Sequence, residues 1–171
     1  ADMFTEMSGG TSTERLSGMF AEAMSAPSVG SIVLRIDSPG GGVYGVAELA
    51  DQILKARGRK QIVAVADSMA ASAAYWIASA ADEIVVTPGG EVGSIGVFAA
   101  HEDISRFLDA EGVGVTLISA GKYKVEGSPL EPLGEEARAA MQSRVNDYYS
   151  LFVRAVAKGR GVSVDDVRGG F

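Results

Sequence analysis

Apolar residues along the chain follow two alternating spacings. Continuous short runs predict strands: Ile32-Val33-Leu34-Arg35-Ile36 a mostly buried one, Ile62-Val63-Ala64-Val65-Ala66 a second buried one, and Ile84-Val85-Val86 a short one. Residues 94–98 and Val115-Thr116-Leu117-Ile118 predict two more. Between these runs the spacing becomes helical. Leu16, Met19, Phe20 and Met24 share one face of a first helix, with Thr11 and Glu14 at capping-box spacing and Pro27 beyond its end. Val46, Leu49, Ala50, Ile53 and Leu54 form the face of a second helix, closed by Gly58. A turn at Asp67-Ser68-Met69 leads to a small-residue helix over residues 71–80. Ile104, Phe107 and Leu108 mark a short helix, residues 121–132 a polar loop, and residues 135–157 a long helix. Strands and helices thus alternate in units of roughly 30 residues, the pattern of parallel α/β layering. No repeat or linker interrupts it, so residues 1–171 read as a single compact domain.

Composition narrows the function classes. A chain of 171 residues can bury a real core, and 47% hydrophobic with 22% charged residues excludes disorder as a description of the whole. The net charge of −7 lacks the basic footprint of a nucleic-acid binder. The absence of cysteine removes disulfides and thiolate nucleophiles, and a lone histidine removes a multi-histidine metal site within one chain. The uncharged run at residues 68–81, bounded by Asp67 and Asp82, falls short of the roughly 18 residues of a membrane span. No signal-peptide pattern opens the chain. It starts at Ala1 and stops at Gly169-Gly170-Phe171, which suggests a fragment or a trimmed form.

Two segments stand out chemically. Ser38-Pro39-Gly40-Gly41-Gly42 lies between a strand and a helix, where glycines let a ligand approach backbone N–H groups. It is neither a P-loop nor a full dinucleotide fingerprint, so no cofactor is expected, and a plain glycine connector would look the same. Ser72, in Met69-Ala70-Ala71-Ser72-Ala73, has small neighbours and an adjacent amide, although a helix-capping serine is commoner. A serine nucleophile needs a base. His101, beside Glu102 and Asp103, reads as a solvated surface residue. Lysine is the remaining class, and a lysine serves only when burial favours its neutral amine. Lys122 and Lys124 share one polar loop, and spacing does not choose between them. Asp37, Asp67, Asp82 and Glu83 are scattered acids with no dyad pattern.

Four motifs in order, Asp37-Ser38-Pro39-Gly40-Gly41-Gly42, Met69-Ala70-Ala71-Ser72, Gly93-Ser94-Ile95-Gly96-Val97, and Gly121-Lys122-Tyr123-Lys124 with Gly127-Ser128-Pro129, give a chain that resembles the signal peptide peptidase A family of serine–lysine peptidases, including its phage head maturation branch. The resemblance covers nearly the whole chain. It implies a Clp-protease/crotonase-like spiral of ββα units. It implies Ser72 as nucleophile, Lys124 as general base with Lys122 non-catalytic, and Ser94 as a lysine-orienting serine. Gly41 and the amide of Ala73 correspond to the oxyanion-hole donors, and neither a metal nor a cofactor is implied. Ala73 stands where cellular members often carry glycine, and their membrane anchor is absent here. Residues 3–13 are closer to the phage type, and a C-terminal segment is expected to be missing. The resemblance further implies a homo-oligomeric ring in which Ser72 of one chain meets Lys124 of the next. The implied substrate is a protein or peptide: phage scaffold and capsid proteins or signal peptides, in the soluble bacterial cytoplasm or a phage prohead. Two rivals remain at this level: a crotonase-like acyl-CoA enzyme, and a non-catalytic phage head assembly protein.

Overall fold

A computed structural model describes residues 10–168. The terminal features noted above at residues 3–9 and 169–171 lie outside the described residues. The chain divides into two compact units. One runs up to Gly96 and resumes at Tyr149; the other is Val97–Tyr148.

The first unit is α/β with a parallel sheet. Helix α1 (Thr13–Ser25) is capped by Ser12, whose hydroxyl accepts from the Arg15 amide at 3.0 Å, so the cap lies one residue beyond the expected Thr11. Phe20 and Met24, one turn apart, are buried. At its far end the Lys60 ammonium donates to the Ala23 and Ala26 carbonyls at 2.7 and 2.6 Å, which satisfies helix-end acceptors that have no partner of their own.

Strand β1 (Ser31–Ser38) leads through the glycine loop into helix α2 (Val46–Ala56), whose Val46, Leu49, Ala50, Ile53 and Ala56 form one buried face. Full burial of a side chain such as Leu49 or Ile53 contributes roughly 1.5–3 kcal/mol. Strand β2 (Gln61–Ala71), helix α3 (Ala73–Ser79), strand β3 (Glu83–Val86) and strand β4 (Glu91–Gly93) follow. Strands β1, β3 and β4 all pair parallel to β2, with β1 along one edge and β3 then β4 along the other. Helix α3 contacts β1, β2 and α2.

Asp67-Ser68-Met69 is not a turn: β2 continues through it to Ala71. The register slips between the Ile36↔Ala66 and Ser38↔Ala70 pairs, so the extra β2 residues are absorbed as a bulge. An exposed Arg35–Asp67 ion pair lies at this bulge. The helix expected over residues 71–80 is shortened to α3, because Met69, Ala70 and Ala71 pair with Glu91, Val92 and Gly93. Residues 94–98 form no strand; the pairing segment ends one residue earlier, at Gly93.

Helix α5 (Glu135–Arg160) begins in the second unit and ends in the first. Its Phe152 ring stacks on Trp76 of α3, centroids 4.7 Å apart and planes 5° apart. Gly159 lies against α3: a Cβ there would collide with the Ser79 carbonyl. The short helix α6 (Val164–Arg168) opens with a reciprocal cap. Ser163 Oγ accepts from the Asp166 amide at 3.1 Å, and Asp166 Oδ2 accepts from the Ser163 amide at 3.1 Å.

In the second unit the regular structure is helix α4 (Ser105–Ala110) and the first part of α5. Val115 to Ile118 are exposed and form no strand, contrary to expectation, since no described strand runs beside them to complete a ladder. His101 is also not simply solvated. It is half-buried, with Nε2 3.0 Å from the Ser128 carbonyl, and with the 2.9 Å bond from the Ile104 amide to the Pro129 carbonyl it ties residues 101–104 to 128–129.

Candidate active site

Because all four strands run parallel, the segments after β1, β2 and β4 emerge at one end of the sheet, the carboxyl end where α/β folds bind ligands. Ser38-Pro39-Gly40-Gly41-Gly42 leaves β1, Ser72 follows β2, and Ser94 follows β4.

Ser72 has φ 53° and ψ −123°, an unusual conformation for a residue with a side chain. Such a backbone costs on the order of 1–3 kcal/mol and persists only where its surroundings fix it. Here the Ser72 amide donates to the Gly93 carbonyl at 2.8 Å, and the Ser72 carbonyl accepts from the Trp76 amide at 2.9 Å. The hydroxyl makes no capping bond to α3, so the common capping-serine role does not apply. Ala73 heads the helix, where an amide has no carbonyl of its own helix to bond.

The glycine loop is held tightly against this serine. Gly40 has φ +102°, and a Cβ there would lie 2.7 Å from Ser72 Cβ, 2.9 Å from the Ala71 carbonyl oxygen and 3.0 Å from the Ala73 nitrogen. Only glycine fits. Gly41, next along, is exposed, and space is open around it.

Ser94 shares the positive φ of Ser72. Ala71 and Gly93 are register partners, and each precedes a serine with φ 53°. Sequence reading gave no sign of this twinning. Gly93, immediately before Ser94, itself has φ 117°.

The two lysines differ sharply. Lys122 Nζ donates to Glu136 Oε1 at 2.8 Å and to the Tyr123 hydroxyl at 2.9 Å, and lies 4.6 Å from the Tyr123 ring centre. The bond to Glu136, with a smaller one from Tyr123, holds the Lys122 amine above the ordinary lysine value, the wrong direction for a base. Lys124 is exposed in a turn closed by its own amide on the Gly121 carbonyl at 3.2 Å, and its ammonium has no partner among the described residues. Ser72, Ser94, Gly41 and Ala73 thus belong to the first unit, and Lys124 to the second. Among the described residues no cluster of His, Asp or Glu is built to hold a metal ion, and no helix is long and apolar enough to cross a membrane.

A parallel α/β sheet with a strained serine at its carboxyl end is the framework of many hydrolases, and comparison with known proteins narrows it. Residues 41–169 match the model of peptidase family S49. The chain belongs to that family, as its four motifs implied. It is 38% identical to the head-tail preconnector protein GP5 of Enterobacteria phage P21 over 162 residues, covering 95% of this chain and 32% of the relative. It is also 38% identical to the capsid assembly protease C of Escherichia phage lambda over 160 residues, covering 94% and 36%. A putative signal peptide peptidase SppA of Enterococcus faecium is 33% identical over 141 residues, covering 82% and 41%. The chain therefore spans about a third of the length of the two phage relatives.

Proposed function

We propose that this chain is the catalytic core of a serine endopeptidase that hydrolyses peptide bonds through an acyl-enzyme. The observation that carries the reading is the backbone of Ser72: a strained serine, free of any capping role, with Gly40 packed against it. In this reading Lys124, as a neutral amine, removes the Ser72 proton, and the alkoxide attacks the scissile carbonyl. The amides of Gly41 and Ala73 stabilise the oxyanion, at roughly 3 kcal/mol per donor. Ser94 orients the lysine. The ammonium then protonates the leaving amine, and water releases the acyl group.

The commitment of Lys122 to Glu136 supports Lys124 as the base. An exposed amine is well solvated, so a lysine base here needs a cover. A homo-oligomeric ring, with Ser72 of one subunit meeting Lys124 of the next, supplies one. Residues 1–171 are read as a single peptidase domain of the Clp-protease/crotonase-like type, a spiral of ββα units. The substrate class is protein: phage scaffold or capsid proteins, or signal peptides, in a soluble setting such as the bacterial cytoplasm or a phage prohead. Family membership weighs against an acyl-CoA enzyme. The preconnector name of one relative keeps a non-catalytic head-assembly role as the second reading.

The test is turnover of purified variants. Ser72→Ala and Lys124→Ala are each expected to abolish cleavage, a loss on the order of 10⁴-fold or more, while the fold survives. Cleavage retained in either variant refutes the dyad. The rate is expected to climb with pH as a lysine deprotonates, and a flat profile from about pH 6 to 10 argues for a different base.

A further inference from the structure

We propose that Arg57 is a positioning residue for the Ser72 nucleophile, acting through helix α3. The proposal rests on the peptidase reading above.

Ser72 and Ala73 stand at the head of α3, which is only seven residues long. So short an element behaves as one body, and a shift at its tail moves its head. The tail is gripped by one guanidinium. Arg57 Nε donates to the Ala80 carbonyl at 2.8 Å, and Nη2 donates to the carbonyls of Ser79 at 3.1 Å, Ala81, and Gly159 of α5 at 2.9 Å. Arg160 Nη1 adds a bond to the Ala81 carbonyl at 3.2 Å. Arg57 is also the residue that ends α2, so the same fork ties α2, α3 and α5 together. Gly159 completes the joint, because a side chain there would push the Ser79 carbonyl away.

These bonds complement those at the head of the helix. The Ser72 amide bond to Gly93 and the Gly40 contact fix the strained residue from one side. The Arg57 fork prevents α3 from sliding or tilting to release the strain from the other. A planar guanidinium reaches several carbonyls at once, whereas an ammonium is a compact point donor. Lysine at this position therefore restores only part of the grip.

The experiment measures the rate at which a fluorophosphonate labels Ser72 in the full chain, well below the melting temperature of each variant. Arg57→Gln is expected to label roughly 10–100-fold more slowly than wild type, the scale of loss produced by misplacement of about 1 Å. Arg57→Lys is expected to fall between the two. Millimolar methylguanidinium is expected to speed labelling of Arg57→Ala, a response that a purely structural role would not give in protein already folded. A folded Arg57→Gln chain that labels at the wild-type rate overturns the proposal. If Arg57→Gln yields no folded chain, Arg57→Lys decides: slower labelling supports the role, and the wild-type rate overturns it. A wild-type chain that takes no label at Ser72 overturns the peptidase reading and this role with it.

Discussion

The two units spend their apolar residues differently. In the first, Leu49, Ile53, Ile62, Trp76 and Phe152 are buried between sheet and helices. In the second, Ala137 is the sole buried residue, while Phe98 and Ile118 remain 89% and 95% exposed. The second unit does not lack apolar side chains; it lacks elements for them to pack on. Ser72, the glycine loop beside it and Ser94 thus belong to the unit with the buried core, whereas Lys124 is exposed in the other. Under the proposed ring, that asymmetry has a reason: the nucleophile side is prebuilt, and the base side is completed by a neighbour.

The sharpest way to break this comparison is to truncate one ring in each unit. Trp76 is 2% exposed and stacked on Phe152, so Trp76→Ala is expected to cost about 3–5 kcal/mol in denaturant unfolding. Phe107→Ala, at a 64% exposed position, is expected to stay within about 0.5 kcal/mol. Equal losses at the two sites would erase the distinction. Trp76→Phe keeps a ring against Phe152 and removes an indole N–H that has no acceptor among the described residues, so its cost is expected to be much smaller.

A subtler variant asks what covers the second unit. Ile118→Ser is expected to change the stability of the isolated chain by less than about 0.5 kcal/mol. If a neighbouring subunit covers residues 113–118, the same change is expected to lower the assembled mass measured by light scattering. An unchanged assembly would place the subunit contact elsewhere.

The sequence is legible where structure follows from local pattern. The strands β1, β2 and β3 and the face of α2 could be read directly from their apolar pattern, but the mostly buried β1 that the run predicted is not found: only Ile32 is buried and Val33 is exposed, because β1 lies at the edge of the sheet with one strand neighbour. The serine and glycine loop also stood out by composition. What was hidden depends on distant partners. Met69-Ala70-Ala71 pairs with β4 as strand, and the Ser72 amide bonds the Gly93 carbonyl at the end of that pairing. Val115 to Ile118 have a strand pattern but no described partner. The four acceptors of Arg57 lie at residues 79–81 and 159, so a lone arginine at a helix end gave no hint of them. Residue spacing alone did not separate Lys122 from Lys124, and the pairing of Lys122 with Glu136, 14 residues further on, left no local sign.

That ion pair gives the smallest expected effect and a pH test confined to the second unit. The Lys122 and Tyr123 bonds hold the Glu136 carboxyl below its ordinary value of 4.5, and Glu136 holds the Lys122 amine above its ordinary value of 10.5. A carboxylate with a lowered folded value contributes stability that is complete above 4.5 and is lost as pH falls through that lowered value. An amine with a raised folded value contributes stability that is complete below 10.5 and is lost as pH rises through the raised value. The pair is therefore fully engaged between 4.5 and 10.5 and released at either extreme. Its side chains are 66% and 58% exposed, and pairs of this kind contribute little to global stability. The readout must be local. Amide exchange and chemical shifts at residues 121–124 are expected to lose order as pH falls below 4.5 and through the lowered Glu136 value, with no matching change at the β2–α3 junction. Glu136→Gln is expected to reproduce that loosening at neutral pH. If the 121–124 turn keeps its order in acid and in the Gln variant, the ion pair is not what shapes the lysine loop.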